Sequence, residues 1–296
     1  MYLKKGDTIA IVSPARAIKK EQVEPAVRFF EKHGLNVLVG QHTYNVHNQM
    51  AGTDEEKAED IQSFINNPNV KAIVSTRGGY GCVRVIDKLN LKPLADQNKW
   101  FVGYSDVTVF HSHIHNNFGT PTLHATMPVN ISDDPSPEEQ IGNTTMMDCL
   151  FGKSLAYNLP SNPMNKTGNA TGKLVGGNLS MLYSMCGSVS DIDTAGKILF
   201  IEDLDEYLYH IDRMMMNLKR TGKLDKLAAL IVGGMSDMND NAIPYGKNAE
   251  EIILEHTQDY DYPIYFNFEA GHQKPNRAMR FGMDAEIKDN QLFLPA

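Results

Sequence analysis

The chain has 296 residues, 42% hydrophobic and 22% charged, the make-up of an ordinary globular protein with room for two domains. A formal net charge of −8 leaves no general basic face for nucleic acid, and no Lys/Arg cluster marks an anionic membrane surface as a partner. Cys82, Cys149 and Cys186 form no CxxC pair, and no stretch approaches the roughly 20 apolar residues of a membrane helix, so a reducing, cytoplasmic home is expected.

The apolar run in "DTIAIVSPA" is too short for a signal peptide and reads as a strand. "KKEQVEPAVRFFEKHG" follows with helical spacing and stops at Gly34. "LNVLVG" is a second strand. Thr53 with Glu56 three residues on is a capping-box pattern that opens the helix "TDEEKAEDIQSFINN". Then come a strand in "VKAIVSTRGG", a helix in "YGCVRVIDKLN", a strand in "WFVGYS", a helix in "DVTVFHSHIHNNFG" and a strand in "TPTLHA". Continuous apolar strands separated by helices predict a parallel sheet covered on both faces, a Rossmann-like domain over residues 1–150. Residues 151–171, rich in Pro, Asn and Gly, read as a linker. Residues 172–296 read as a smaller mixed α/β domain, ending in a hairpin with Asp289-Asn290 at its turn.

In such a sheet, functional groups collect where the carboxyl ends of strands meet the following loops. Ser105, in "GYSD", reads either as a nucleophile on a strand-to-helix turn or as the cap of the next helix; Val107 stands where a G-x-S-x-G elbow has its second glycine. "RGGYG" reads either as an anion-binding turn or as a plain tight turn. It is neither a P-loop nor a GxGxxG fingerprint, so no nucleotide cofactor is expected. His111 and His115 are spaced four apart but lack a carboxylate partner, and "DMNDNAIPYG" lacks the glycine and glutamate of a calcium loop, so no metal is expected. His124 ends a strand and reads as a cleft residue or a buried core histidine. His272 sits in a loop after a strand-like run, and Glu202 and Asp203 end the strand in "ILFIEDLDE". Ser105, Glu202 and His272 stand in one known chain order of nucleophile, acid and base.

Taken together, "GDTIAIVSPA", "STRGGYG", "FVGYSD", "KLVGGNLSMLYSMCGS", "FIEDLDEYLYHIDRMM" and "GHQKPN" resemble the LD-carboxypeptidase family, serine peptidases of the S66 type, in family order over nearly the whole chain. The resemblance implies a catalytic triad of Ser105, Glu202 and His272, the serine on the Rossmann-like half and the other two on a swivelling, β-rich C-terminal half. It implies an oxyanion hole, expected at the backbone N–H groups of Gly79 and Asp106. It also implies a muropeptide substrate, an L,D-linked tetrapeptide that loses its terminal D-alanine. Arg77 or Arg213 is expected to grip a substrate carboxylate, and Asn178 to contact substrate or only fix its loop. A homodimer is the default assembly. Two alternatives stand beside this reading. A branch of the same family cleaves peptide-nucleotide antibiotics, and a non-catalytic binder of cell-wall peptides would need Ser105 only as a cap. Where many members carry His-Gly-Pro, this chain has His124-Ala125-Thr126, so the cleft wall near the serine is expected to differ.

Overall fold

A computed structural model describes residues 1–296. The first half runs β1 (Thr8–Val12), α1 (Lys20–Lys32), β2 (Asn36–Val39), α2 (Asp54–Asn66), β3 (Val70–Ser75), α3 (Cys82–Val85), α4 (Lys92–Asp96), β4 (Trp100–Gly103), α5 (Thr108–Phe118), β5 (Thr122–His124) and α6 (Pro137–Leu150). The predicted capping box opens α2: the Thr53 hydroxyl accepts from Glu56 N–H, and the Glu56 carboxylate accepts from Thr53 N–H. The short α4 has no counterpart in the sequence reading, and the helix expected over "YGCVRVIDKLN" is one turn of α-helix followed by a 3₁₀ turn.

The second half runs β6 (Leu155–Asn158), β7 (Ala170–Asn178), α7 (Leu179–Ser184), β8 (Ile198–Leu204), α8 (Leu208–Arg220), β9 (Ala229–Ser236), α9 (Ala249–Thr257), β10 (Ile264–Tyr265), β11 (Met279–Phe281), β12 (Asp284–Lys288) and β13 (Gln291–Leu294). Asp289 and Asn290 form the expected two-residue hairpin turn, both with positive φ, which Asp and Asn tolerate better than most residues.

The strands make two sheets. One has six strands in the order β11-β5-β4-β3-β1-β2, parallel except for β11. The other has seven, β10-β9-β8-β7-β12-β13-β6, parallel from β10 to β7 and antiparallel beyond. The stretch expected as a linker, 151–171, contains β6, which pairs with β13 and forms an edge of the second sheet. In the other direction β11 leaves the C-terminal half and pairs with β5 in the first sheet. Neither crossing was legible, because strands of three or four residues carry too little periodicity to stand out from a loop.

The halves also share a core. One cluster of 40 buried residues joins Ala10 of β1 and Phe110 of α5 to Val175 of β7, Ile211 of α8 and Ile264 of β10.

Candidate active site

Ser105 follows β4 directly and is held at φ +65°, in the left-handed region that costs a non-glycine residue on the order of 1–2 kcal/mol. Such strain persists only where the surroundings impose it. His111, buried on α5, reaches back to the strand end: its Nε2–H donates to the Gly103 carbonyl at 2.9 Å and its Nδ1 accepts from the Thr122 hydroxyl at 2.9 Å. Both ring nitrogens are thus engaged in the core, and burial pushes the imidazole down to about 4, so it stays neutral. Ser105 makes no capping hydrogen bond to the helix that follows. Its hydroxyl instead donates to His272 Nε2 at 3.0 Å.

His272 lies in the loop after β10. Its Nδ1–H donates to Glu202 Oε2 at 2.6 Å, and its backbone N–H reaches the same oxygen at 3.2 Å. Glu202 is fully buried at the end of β8, beside Gly271, whose φ is +98°. A Cβ added to Gly271 would stand 2.6 Å from Glu202 Oε2, so only glycine lets the loop come this close. The loop braces itself: Gly271 N–H donates to Asn276 Oδ1, Gln273 Nε2 to the Phe268 carbonyl, and the Ser236 hydroxyl of β9 to the His272 carbonyl. Burial pulls the His272 imidazole down, but the charge and hydrogen bond of Glu202, with the charge of Asp203, outweigh it and leave the ring above its ordinary value.

The glycine turn after β3 packs on the serine. A Cβ at Gly78 would lie 2.9 Å from Ser105 Oγ and 3.3 Å from the Asp106 backbone nitrogen, so the Gly78–Gly79 peptide runs alongside the hydroxyl. Asp106 ties the two loops together: its Oδ2 accepts from Cys82 N–H at 2.9 Å at the start of α3. Of the glycine turn it is Gly78 that touches Ser105 and the Asp106 backbone nitrogen, while Gly79, the expected oxyanion-hole residue, follows it in the turn and packs on Arg16.

The remaining candidates fare differently. Arg77 is half-buried, with Nη1 donating to the Ala17 carbonyl at 3.3 Å and Nε without a partner. Arg213 is exposed on α8, stacked 5.5 Å from the Tyr209 ring centre. Asn178 points inward. Its Oδ1 accepts from Met181 N–H and the Ser180 hydroxyl, its Nδ2 donates to Asp203 Oδ1 at 2.8 Å, and its backbone N–H donates to Thr108 Oγ1 at 2.9 Å. These hydrogen bonds fix the turn between β7 and α7. His124 is fully buried among Tyr104, Phe200 and Phe281, and burial holds it well below its ordinary pKa. Asp203, buried beside Glu202, is pushed up to about 7 by desolvation and by that neighbour, against three N–H donors that favour its charged form.

The sequence reading passed over Thr108, Asn276 and Ser236, which hold the site. Each is a small polar residue in a run of ordinary composition, and only its distant partner reveals its role.

Comparison with known proteins identifies the family. Residues 9–125 match the LD-carboxypeptidase N-terminal domain, and residues 171–287 match the LD-carboxypeptidase C-terminal domain. The chain is 34% identical over 293 residues, 96% of its length and 90% of the relative's, to a probable murein peptide carboxypeptidase of Bacillus subtilis. It is 25% identical over 314 residues, 95% of its length and 90% of the relative's, to the microcin C7 self-immunity protein of Escherichia coli. Among solved structures, a muramoyltetrapeptide carboxypeptidase from Oxalobacter formigenes superposes with a TM-score of 0.88 at 27% identity, covering 98% of this chain and 99% of that one.

Proposed function

The chain belongs to the LD-carboxypeptidase family, and on that premise we propose that it releases the terminal D-alanine from an L,D-linked muropeptide with Ser105 as nucleophile. The observation that carries this reading is the unbroken line from Glu202 through His272 to Ser105, at 2.6 and 3.0 Å. With the proton on Nδ1 held by Glu202, Nε2 is free to accept the serine proton as Oγ attacks the scissile carbonyl. The imidazolium that forms is stabilised by the buried carboxylate. The oxyanion is received by the backbone N–H groups of Gly79 and Asp106. Collapse of the tetrahedral intermediate breaks the C–N bond, and the leaving D-alanine takes the proton from His272. A water molecule, deprotonated by His272, then attacks the ester and frees Ser105.

Cleavage of a peptide-nucleotide conjugate, suggested by the more distant likeness to the microcin self-immunity protein, uses the same chemistry on another acyl donor. The muropeptide reading takes precedence because the more similar relative and the Oxalobacter structure both carry murein-peptide names. The working form is a homodimer in the cytoplasm, in line with the symmetric assemblies common among soluble proteins and with the three unpaired cysteines.

The test is D-alanine release from a muramoyl tetrapeptide by the wild-type protein beside Ser105→Ala. The variant is expected to fall by several orders of magnitude. Equal rates would remove Ser105 from the chemistry, and no release by the wild type would remove the substrate.

A further inference from the structure

Three neighbouring strands of the first sheet, β4, β3 and β1, end at one edge of the site. The first delivers Ser105 and the second the glycine turn. The third delivers the loop Ser13-Pro14-Ala15-Arg16, to which no role has yet been given. This loop is clamped on both sides. Ala17 N–H donates to the Gln49 carbonyl, Ala51 N–H donates to the Ala15 carbonyl, and Arg16 forms an isolated bridge with Met50. From beneath, Gly81 packs so closely that a Cβ would stand 2.8 Å from the Pro14 carbonyl oxygen.

The Arg16 side chain lies across Gly79. A Cβ there would be 2.5 Å from Arg16 Cδ and 3.0 Å from Nε, so the glycine turn that runs beside Ser105 also leaves the room this arginine occupies. Of the other cations near the site, Lys57 and Arg84 pair with Asp54 and Lys274 pairs with Glu139 at 2.8 Å. Arg77 has no carboxylate partner, but it is half-buried, with Nη1 on the Ala17 carbonyl and its buried Nε unpaired. Arg16 is exposed and has no carboxylate within 4.0 Å.

An enzyme that removes one residue from a chain end must find a free carboxylate one residue, about 4 Å, beyond the carbonyl it attacks. A guanidinium meets a carboxylate through two parallel N–H···O bonds, and a backbone held from both sides loses little freedom in forming them. We propose that Arg16 is the specificity-determining residue that reads the terminal carboxylate of the substrate, the role that sequence reasoning assigned to Arg77 or Arg213. The proposal rests on the carboxypeptidase reading of the Ser105 site.

The test pairs wild type and Arg16→Ala with two L,D-linked tetrapeptides, one ending in D-alanine and one in D-alaninamide. On the free acid, Arg16→Ala is expected to lose roughly ten- to hundred-fold in kcat/KM, mostly through KM, with Arg16→Lys in between. On the amide the wild type falls to the level of the variant, and the variant falls no further. An unchanged kcat/KM for Arg16→Ala on the acid, or an equal loss on acid and amide, overturns the assignment. The same four combinations measured as binding to Ser105→Ala protein keep the two readings apart. Absence of D-alanine release by the wild type defeats the muropeptide reading, whereas equal binding of acid and amide by protein that retains Arg16 defeats the role of Arg16.

Discussion

In the proposed mechanism His272 must be neutral to take a proton from Ser105, yet Glu202 and Asp203 both favour its charged form and prevail over burial. The acidic limb of kcat/KM is therefore expected above the ordinary histidine value of about 6.5. The same shift bears on folding. A histidine raised in the folded state contributes stability that is full below its unfolded pKa and fades as pH rises through the folded one. Glu202→Gln removes the charge and disturbs the tautomer. Activity is expected to fall roughly ten-thousand-fold, with the acidic limb moving to lower pH. A pH profile whose limb stays in place would show that Glu202 does not set the imidazole. At this scale the sequence disclosed the types of residue and not their meeting. Ser105 and His272 stand 167 positions apart, Glu202 and His272 stand 70 apart, and no local pattern encodes either distance. Thr108 escaped notice for a different reason: a fully buried hydroxyl on the inner face of a helix looks like any other core position until its partner, Asn178, is known.

Among the elements, β11 has the largest structural task for its three residues. Its Arg280 is buried almost completely with no carboxylate beside it. Its N–H groups donate to the carbonyls of Asp148, Cys149, Lys153 and Pro295, and its guanidinium lies 5.3 Å over the Tyr2 ring. The carbonyl end of α6 carries partial negative charge, which supplies the missing counter-charge. Arg280→Met would leave these carbonyls without donors, at a cost of about 2–4 kcal/mol, read as a fall in the urea midpoint. An unchanged midpoint would mean that the carbonyls find other partners. The principal helices and parallel strands of the first half were legible because their apolar periods extend over many residues. By contrast β6, β11 and α4 are short, and tertiary pairing rather than local preference makes them what they are.

For the molecule as a whole, the site exists only where the halves meet. Gly177, at φ +134°, has no room for a Cβ because Thr108 Oγ1 would stand 2.4 Å from it, so the backbone of β7 packs directly on the Thr108 side chain at the start of α5. The domain boundaries expected from composition were crossed twice by strands, since composition reports where a chain turns and not where it returns. A homodimer of this 33.0 kDa chain is expected to scatter light with twice that mass, and a monomeric mass would remove the assembly proposed above.

The placement of β11 also has a temporal consequence. Strand β5 ends at His124, and the residue that pairs with it is Met279, which the ribosome adds 155 residues later (279 − 124). At about 5–20 residues per second, the edge of β5 waits uncovered for roughly 8 to 30 seconds. Through most of that interval the nascent chain carries Ser105 but neither His272 nor Arg280, so a product truncated there presents an open strand edge without the histidine that faces Ser105.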